Sequence, residues 1–527
     1  MKELDSLNFV KFDVLGLDNV GIINETCKLA GIPRISAKSV DIEDDNVWKS
    51  IQENTDLLFQ ISGQFGSRTI SKIFSEDSMS RIKNTIQNFS RMDLFAFTNA
   101  LLRPCGKSVY EDATNGIARV TGIKEVDELL GSELGYPLFQ ETQMEFVMSF
   151  CGYTFLESDF LRKTIGKKLG TRELLPIIRD RFYENGAKNL NLSSKQSENI
   201  IEPFLQCILD ATRYSFCRIH AYSYSYIGYM CAYLRYYYPI EYLTACLNVW
   251  KDKEDKTNES VEYARKIGIK ILEPKFRYGR SEYSFDKENN CIYKGMKSVK
   301  YLNEDCSNYL YSLKDNDYDS FSALLYDIYE SKSVNARQLN VLIKLGFFDE
   351  FGNSKELLRI TNMFDFFKEG KAKTLNKSKV SKDSVVYSII QRNSKESEKT
   401  FTKLNTPKIL TECEELIRGW RIPDFSIKEK ALTQKEYLGY INIETDKKED
   451  RPKILVIEKR TMCKRGATSP WGVVIEGQSL GSGKKTRYTI FYKTYTKEPF
   501  DELDLIYIDE WKKEGEYFYI KKYHKIY

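Results

Sequence analysis

Two hydrophobic periods share this chain, and the change from one to the other divides it. Over residues 20 to 250 apolar residues recur at three and four spacing, as in Ile200 to Ala211 and Tyr224 to Leu247. That is the period of helices with one buried face. From about residue 436 the pattern alternates, in the runs Lys453 to Glu458, Trp471 to Glu476, Thr486 to Tyr492, Leu503 to Ile508 and Tyr517 to Lys522, with glycine-containing turns between them. Alternation sends successive side chains to opposite faces, so each run reads as a half-buried strand. Five short strands at this spacing predict a small closed barrel of the OB type. The expected fold class is α+β and multi-domain, mostly helical with a C-terminal OB-type β-barrel.

At 527 residues the chain exceeds one core, and about 100 to 200 residues per domain predicts three or four. Lys251 to Asn258 is a charged, turn-rich break, and shorter helices with a hairpin follow it, ending in a helix closed by Gly346 as a C-cap glycine. Residues 369 to about 405 are rich in Lys, Ser, Thr and Asn, with Val385 to Ile390 the main apolar exception, a composition of partly mobile linkers. The expected division is 1–20, a terminal strand; 21–250, one large helical region; 251–368, the short helices; 369–435, a linker; and 436–527, the barrel.

The balance of 80 basic and 75 acidic residues leaves a net charge of +5, so affinity for nucleic acid has to come from local basic faces. Eleven cysteines without a C-x-x-C pair predict reduced thiols in a cytoplasmic protein. No leader-like segment and no apolar run near 18 residues is visible, so no membrane contact is expected. Two histidines, His220 and His524, exclude a histidine-rich metallohydrolase centre.

Several runs are candidates for chemistry. In Asn8 to Leu17, Lys11 and Asp13 stand two apart on an alternating run and share one strand face. An ionised carboxylate is costly to bury without a partner or a metal, so the two mark a site, or else a surface ion pair on an edge strand. In Leu161 to Lys168, Lys163 and Lys167 share a helix face flanked by Arg162; this is a cationic edge suited to a triphosphate, or a solvated face. His220 precedes a tyrosine-rich helix, and Tyr222, Tyr226, Tyr229 and Tyr233 recur at helical spacing, which predicts core packing. In the barrel, Lys484, Lys485 and Arg487 with Trp471 and Tyr488 suit single-stranded DNA by charge and stacking, unless the barrel is inert. Asn362 to Phe367 is either a degenerate clamp-binding peptide or a packed helix.

Taken in order, these motifs resemble the C-family replicative DNA polymerases, the alpha subunit of bacterial DNA polymerase III. The matching segments are Lys11-Phe12-Asp13, Asp56 to Gln60 with Gly63, Leu101 to Gly106, Arg162 to Lys168, Tyr214 to Tyr222, Tyr238-Pro239-Ile240-Glu241, Ile267 to Pro274, Leu342 to Asp349 and Lys435 to Gly439. The resemblance implies that Asp13 is the third metal-binding carboxylate and Lys11 a cation near the triphosphate. It implies nucleotide contacts from Arg103, Arg162, Lys163, Lys167, Arg218 and His220. It further implies two Mg2+ ions, completed by carboxylates outside this chain, that activate the primer hydroxyl.

The chain departs from the family at identifiable points. Lys163 stands where the family has a second arginine, which loses a bidentate fork. Cys217 and Ile219 replace an asparagine and a serine, and Arg218 a lysine. Lys300-Tyr301-Leu302-Asn303 replaces a Lys-Gly-Val-Gly hairpin, and without the glycines backbone amides approach phosphate less closely. The expectation is a C-terminal fragment of a split polymerase: the end of the palm, the fingers (21–250), a helix-hairpin-helix and clamp-binding-like region (251–368) and the OB domain. It would add dNTPs to a primer 3' end with a separately encoded N-terminal polymerase fragment. Its partners would be that fragment, primer-template DNA and dNTP, with the sliding clamp a further candidate. The alternative is a non-catalytic DNA-binding or clamp-recruiting protein derived from a polymerase.

Overall fold

The computed structural model describes residues 16–526 apart from 87–88, 168–170, 212–215, 446, 465–468 and 516, and leaves the side chains of Lys167 and Thr171 undescribed. Lys11 and Asp13 therefore lie outside the described residues. The chain forms two compact units, one running to Lys270 and including Lys287–Cys291, the other made of Ile271–Asp286 and the chain from Ile292 onward.

The first unit is helical. Its main helices are α1 (Asp18–Ala30), α2 (Asp45–Glu53), α3 (Arg91–Leu101), α4 (Gln140–Phe150), α5 (Phe155–Lys167), α6 (Ser194–Ala211), α7 (Arg218–Tyr237) and α8 (Pro239–Val249). Local chemistry sets their ends. Asp44 accepts from the N–H groups of Asn46 and Val47 to start α2, and Ser90 with Asp93 forms a reciprocal capping box at α3, each satisfying first-turn donors that the helix leaves open. Pro239 divides the tyrosine-rich run into α7 and α8, because proline fits the first turn but not a helix interior.

Helix α7 packs on α1, α2, α3 and α8. Tyr229 is fully buried, with its ring 4.9 Å from Trp48, and Trp48 stacks on Phe74 at 5.4 Å. Its hydroxyl donates to the Asp41 carbonyl at 2.6 Å, and that of Tyr242 donates to Leu57 at 2.9 Å, so these tyrosines bury their rings with their polar ends satisfied. Arg235, also buried, donates to the carbonyls of Ser50, Asn54 and Asp56. A separate core in this unit gathers Phe146, Phe182 and Phe204.

Strands β1 (Lys270–Leu272), β2 (Ser284–Asp286) and β3 (Cys291–Tyr293) make a small sheet in the order β1-β3-β2. Helices α9 (Glu304–Ser312), α10 (Phe321–Ser331), α11 (Ala336–Lys344) and α12 (Ser354–Phe366) follow.

The segment read as a linker is folded. It holds β4 (Thr374–Asn376), a helix at Val385–Arg392, β5 (Lys395–Glu396), β6 (Thr400–Thr402) and α13 (Thr406–Gly419), with the strands in the order β4-β6-β5. Leu375, Tyr387, Ile389, Ile390, Phe401 and Leu404 enter the same core as Phe364 and Phe367. The expectation failed because the lysines that dominate the composition occupy the surface, while a few widely spaced apolar residues suffice to close a small module over an existing core.

The barrel has strands β7 (Lys453–Cys463), β8 (Pro470–Ser479), β9 (Lys485–Phe491), β10 (Leu505–Glu514) and β11 (Tyr517–Ile526), closed in the order β10-β11-β9-β8-β7. All pairings are antiparallel except β9 with β11. Ile454, Val456, Val473, Ile475, Ile490, Ile506 and Ile520, which fall within the runs read as strands, fill its interior.

Candidate nucleotide and nucleic-acid interface

The start of α7 gathers several charged side chains of the first unit, among them Arg103, Arg218, Glu133 and Glu145. Phe216 pairs with Phe139 in an isolated parallel bridge, and Gln140 N donates to Phe216 O at 3.0 Å, which seats the N-terminus of α7 beside that of α4. Arg103 places its guanidinium carbon 5.6 Å from the Phe216 ring centroid, and His220 meets the same ring edge-on at 5.6 Å. Arg103 donates to Gln60 Oε1, and Gln60 holds a positive φ of 69°. The His220 ring lies 3.8 Å from that of Tyr224. Arg103 and His220, over 100 residues apart in sequence, thus share one aromatic platform, and Arg103 Nε is buried there without a hydrogen-bond partner.

Arg218 points into a different environment. It donates to Thr142 Oγ1 and approaches Glu133 at 3.4 Å and Glu145 at 3.6 Å, while its Nε has no hydrogen-bond partner. Glu133 is fully buried and accepts from Leu138 N at 2.7 Å, Phe139 N at 2.9 Å and Thr142 Oγ1. Burial pushes its carboxyl up from 4.5 to about 7, because desolvation penalises the charged form more than these bonds and Arg218 favour it. Glu141, half-buried, accepts from Cys217 Sγ and Arg218 N. Burial pushes that carboxyl upward, yet the bonds prevail and leave it below its ordinary value.

On α5, Arg162 and Lys163 both bind Asp159, each at 2.7 Å, and they hold that carboxyl below its usual range. Lys167 ends the helix. Arg162 and Lys163 lie on this helix, and Asp159 engages both. Leu156 and Phe160, two turns and one turn before Lys163, are exposed, so the same flank is apolar at its start and cationic further on.

In the helix-hairpin-helix segment, Tyr301 takes a positive φ of 73°, the conformation that a glycine would adopt without strain. Arg337 covers its ring at 3.4 Å, Gln338 Nε2 donates to its carbonyl at 3.1 Å, and Lys300 N donates to Tyr437 O at 2.9 Å. The hairpin keeps its turn without glycines, and part of its backbone is already engaged. Phe364 and Phe367 of the clamp-like run are buried, and Phe364 stacks on Tyr329 at 5.3 Å.

The barrel rearranges the residues chosen from its sequence. Tyr488 turns inward against the barrel core, whereas its neighbour Arg487 is exposed, opposite Glu476. Lys484 and Lys485 lie at the turn between β8 and β9, and Trp471 at the far end of that hairpin, where Gly472 pairs with Phe491. Six residues of strand separate these ends, about 20 Å at the rise of a strand. What the sequence reading missed is a strip beside Trp471's end. Phe491 and Tyr519 stack with centroids 6.0 Å apart, and Lys521 sits 5.4 Å over the Phe491 ring. Phe491 shares parity with Arg487 and Thr489, so the period of two held the signal.

Among the described residues no three His, Cys, Asp or Glu side chains group as a metal site, and no helix is long and apolar enough to cross a membrane.

The order of elements is a helical unit, a small sheet with further helices, and a closed barrel. The family model of the bacterial DNA polymerase III alpha subunit finger domain matches residues 19–190, and that of the helix-hairpin-helix motif matches residues 268–358. By these matches the chain is similar to a C-terminal region of the DNA polymerase III alpha subunit over about 70% of its length. It is 23% identical over 375 residues to DNA polymerase III subunit alpha of Ureaplasma parvum, covering 70% of this chain and 37% of that one. With the Bacillus subtilis subunit it shares 27% over 367 residues, 68% of this chain and 31% of the relative, and with that of Thermus aquaticus 30% over 238 residues, 45% and 19%. The chain therefore spans about a third or less of the length of these relatives.

Proposed function

We propose that this chain is the fingers and DNA-binding portion of a split replicative DNA polymerase. A separately encoded N-terminal fragment completes the palm, and together they add dNTPs to a primer 3' end. The observation that carries this reading is the platform at the start of α7, where Arg103 and His220 flank Phe216 and Arg103 keeps an unused buried donor. A stacked base and an anionic oxygen are what such a set accepts. Arg162, Lys163 and Lys167 on α5 add positive charge for the triphosphate. Two Mg2+ ions would be held by Asp13 and by carboxylates of the partner fragment, and their chemistry is activation of the primer hydroxyl. In the barrel, the Phe491–Tyr519–Lys521 strip is proposed to stack and neutralise single-stranded DNA, with Arg487 and Lys485 adding charge.

A second reading, a DNA-binding protein without catalysis, is favoured by one observation: Arg218, Arg162 and Lys163 already face carboxylates of their own chain. Primer extension with Mg2+ separates the two. The purified chain alone should bind primer-template DNA without extending it. Extension should appear when a polypeptide carrying the palm's acidic pair is added, and Asp13→Ala should abolish it while binding persists. Robust synthesis by the isolated chain would reject the split site, and no synthesis in the mixture would favour the second reading.

A further inference from the structure

Lys371 to Lys382 carries five lysines and no acidic residue, and it supplies part of one wall of a groove in the second unit. Helix α12, the end of α13 and Val386 complete the groove, which has a volume of about 450 Å³. That lies within the roughly 300 to 1,000 Å³ of clefts that hold ligands. Its floor is apolar, with Met363, Phe366, Val386 and Trp420, and Arg359 and Lys379 line it as well. Trp420 is 50% exposed and Phe366 36%. An accessible cluster of large side chains of this kind marks interaction surfaces.

Charge decides the occupant. Among the described residues no carboxylate lines the groove. Lys377 nearby is paired with Glu396, but no ion pair engages Arg359 or Lys379 among the described residues. Arg359 instead stands 5.8 Å over the Trp420 ring. Two uncompensated cations above an apolar floor complement a ligand that combines carboxylates with bulky apolar side chains. Single-stranded nucleic acid also brings negative charge, but it needs a run of open aromatic faces. Here Arg359 lies over the Trp420 ring, and Phe366 stands edge-on to Phe367 at 89°. We propose that this groove docks a short acidic peptide of a partner protein, with aromatic or leucine side chains inserted beside Trp420 and Asp or Glu residues meeting Arg359 and Lys379. The proposal is independent of the polymerase reading: Met363 and Phe366 fall in the clamp-like run Asn362 to Phe367, but Arg359, Lys379 and Trp420, which select the ligand, belong to none of the sites described above.

The test is selection of phage-displayed random 12-residue peptides on the full chain. The expected result is enrichment of sequences that place an aromatic residue or leucine among Asp and Glu. A synthetic peptide from that pool should bind at least ten-fold more weakly to Trp420→Ala and to the double variant Arg359→Glu, Lys379→Glu. Binding of a fluorescent twelve-residue oligothymidylate should be unchanged by both. Trp420 is half exposed, so its truncation spares the core, and the charge-reversed pair tests the same groove without removing apolar volume. No acidic enrichment, or peptide binding that survives both variants, overturns the proposal. Loss of oligothymidylate binding without acidic enrichment also overturns it and assigns the groove to nucleic acid.

Discussion

Replacing Glu133 by glutamine should convert a pH-sensitive fold into an insensitive one. A carboxyl whose folded-state value stands above its unfolded value holds its proton more tightly when folded. The stability it lends is therefore greatest at acid pH and is lost as pH rises from about 4.5 to about 7, the two ends of the shift at Glu133. At 1.36 kcal/mol per tenfold change in proton affinity, the loss between pH 5 and pH 8 is about 2 to 3 kcal/mol. Glutamine matches the protonated acid in shape and charge, so Glu133→Gln should equal the wild type near pH 5 and exceed it by that amount at pH 8. Few other groups titrate over this window, since the chain has only two histidines. Scanning calorimetry of both proteins at pH 5, 6, 7 and 8 separates the transitions of the two units. The melting temperature of the first should diverge by roughly 5 to 10 °C across the series. A difference that stays constant or shrinks with pH would mean that Arg218 keeps Glu133 ionised throughout, and the reasoning from burial would be refuted.

Arg235→Met should lower stability by about 3 kcal/mol in urea titrations, because the carbonyls of Ser50, Asn54 and Asp56 lose a buried charged donor; a cost under about 1 kcal/mol would show that water replaces it. Phe491→Ala should weaken oligothymidylate binding by the ~1 to 3 kcal/mol of one stacked base, whereas Tyr488→Phe should leave it unchanged, and equal losses in the two variants would reject the outward strip.

The barrel was legible residue by residue because a strand with one wet face writes its geometry into every second position. The same rule exposes the weakness of choosing Arg487 and Tyr488 together, since adjacent strand residues face opposite ways. The helical unit was legible through spacing, and Tyr229 turned inward as expected. The surroundings of Arg218 were not readable, because its partners Glu133 and Glu145 lie some seventy to ninety residues away in sequence and only the bridge between Phe139 and Phe216 brings them near. The lysine-rich stretch after residue 369 misled because composition averages over surface and core, while folding depends on where the few apolar residues fall.

Strands Lys453–Cys463 and Leu505–Glu514 meet over only three register pairs, Leu505 with Leu455, Ile506 with Ile454 and Tyr507 with Lys453. That narrow seam is what denies the barrel a free edge, and a sheet without an edge offers no template for a neighbouring molecule to extend. The sheet β4-β6-β5 guards one of its edges differently, that outer strand being the two charged residues Lys395 and Glu396. Parting the seam would expose the edges of both of its strands, so the resistance of this protein to fibrous assembly at high concentration is set by the few side chains that hold the seam shut.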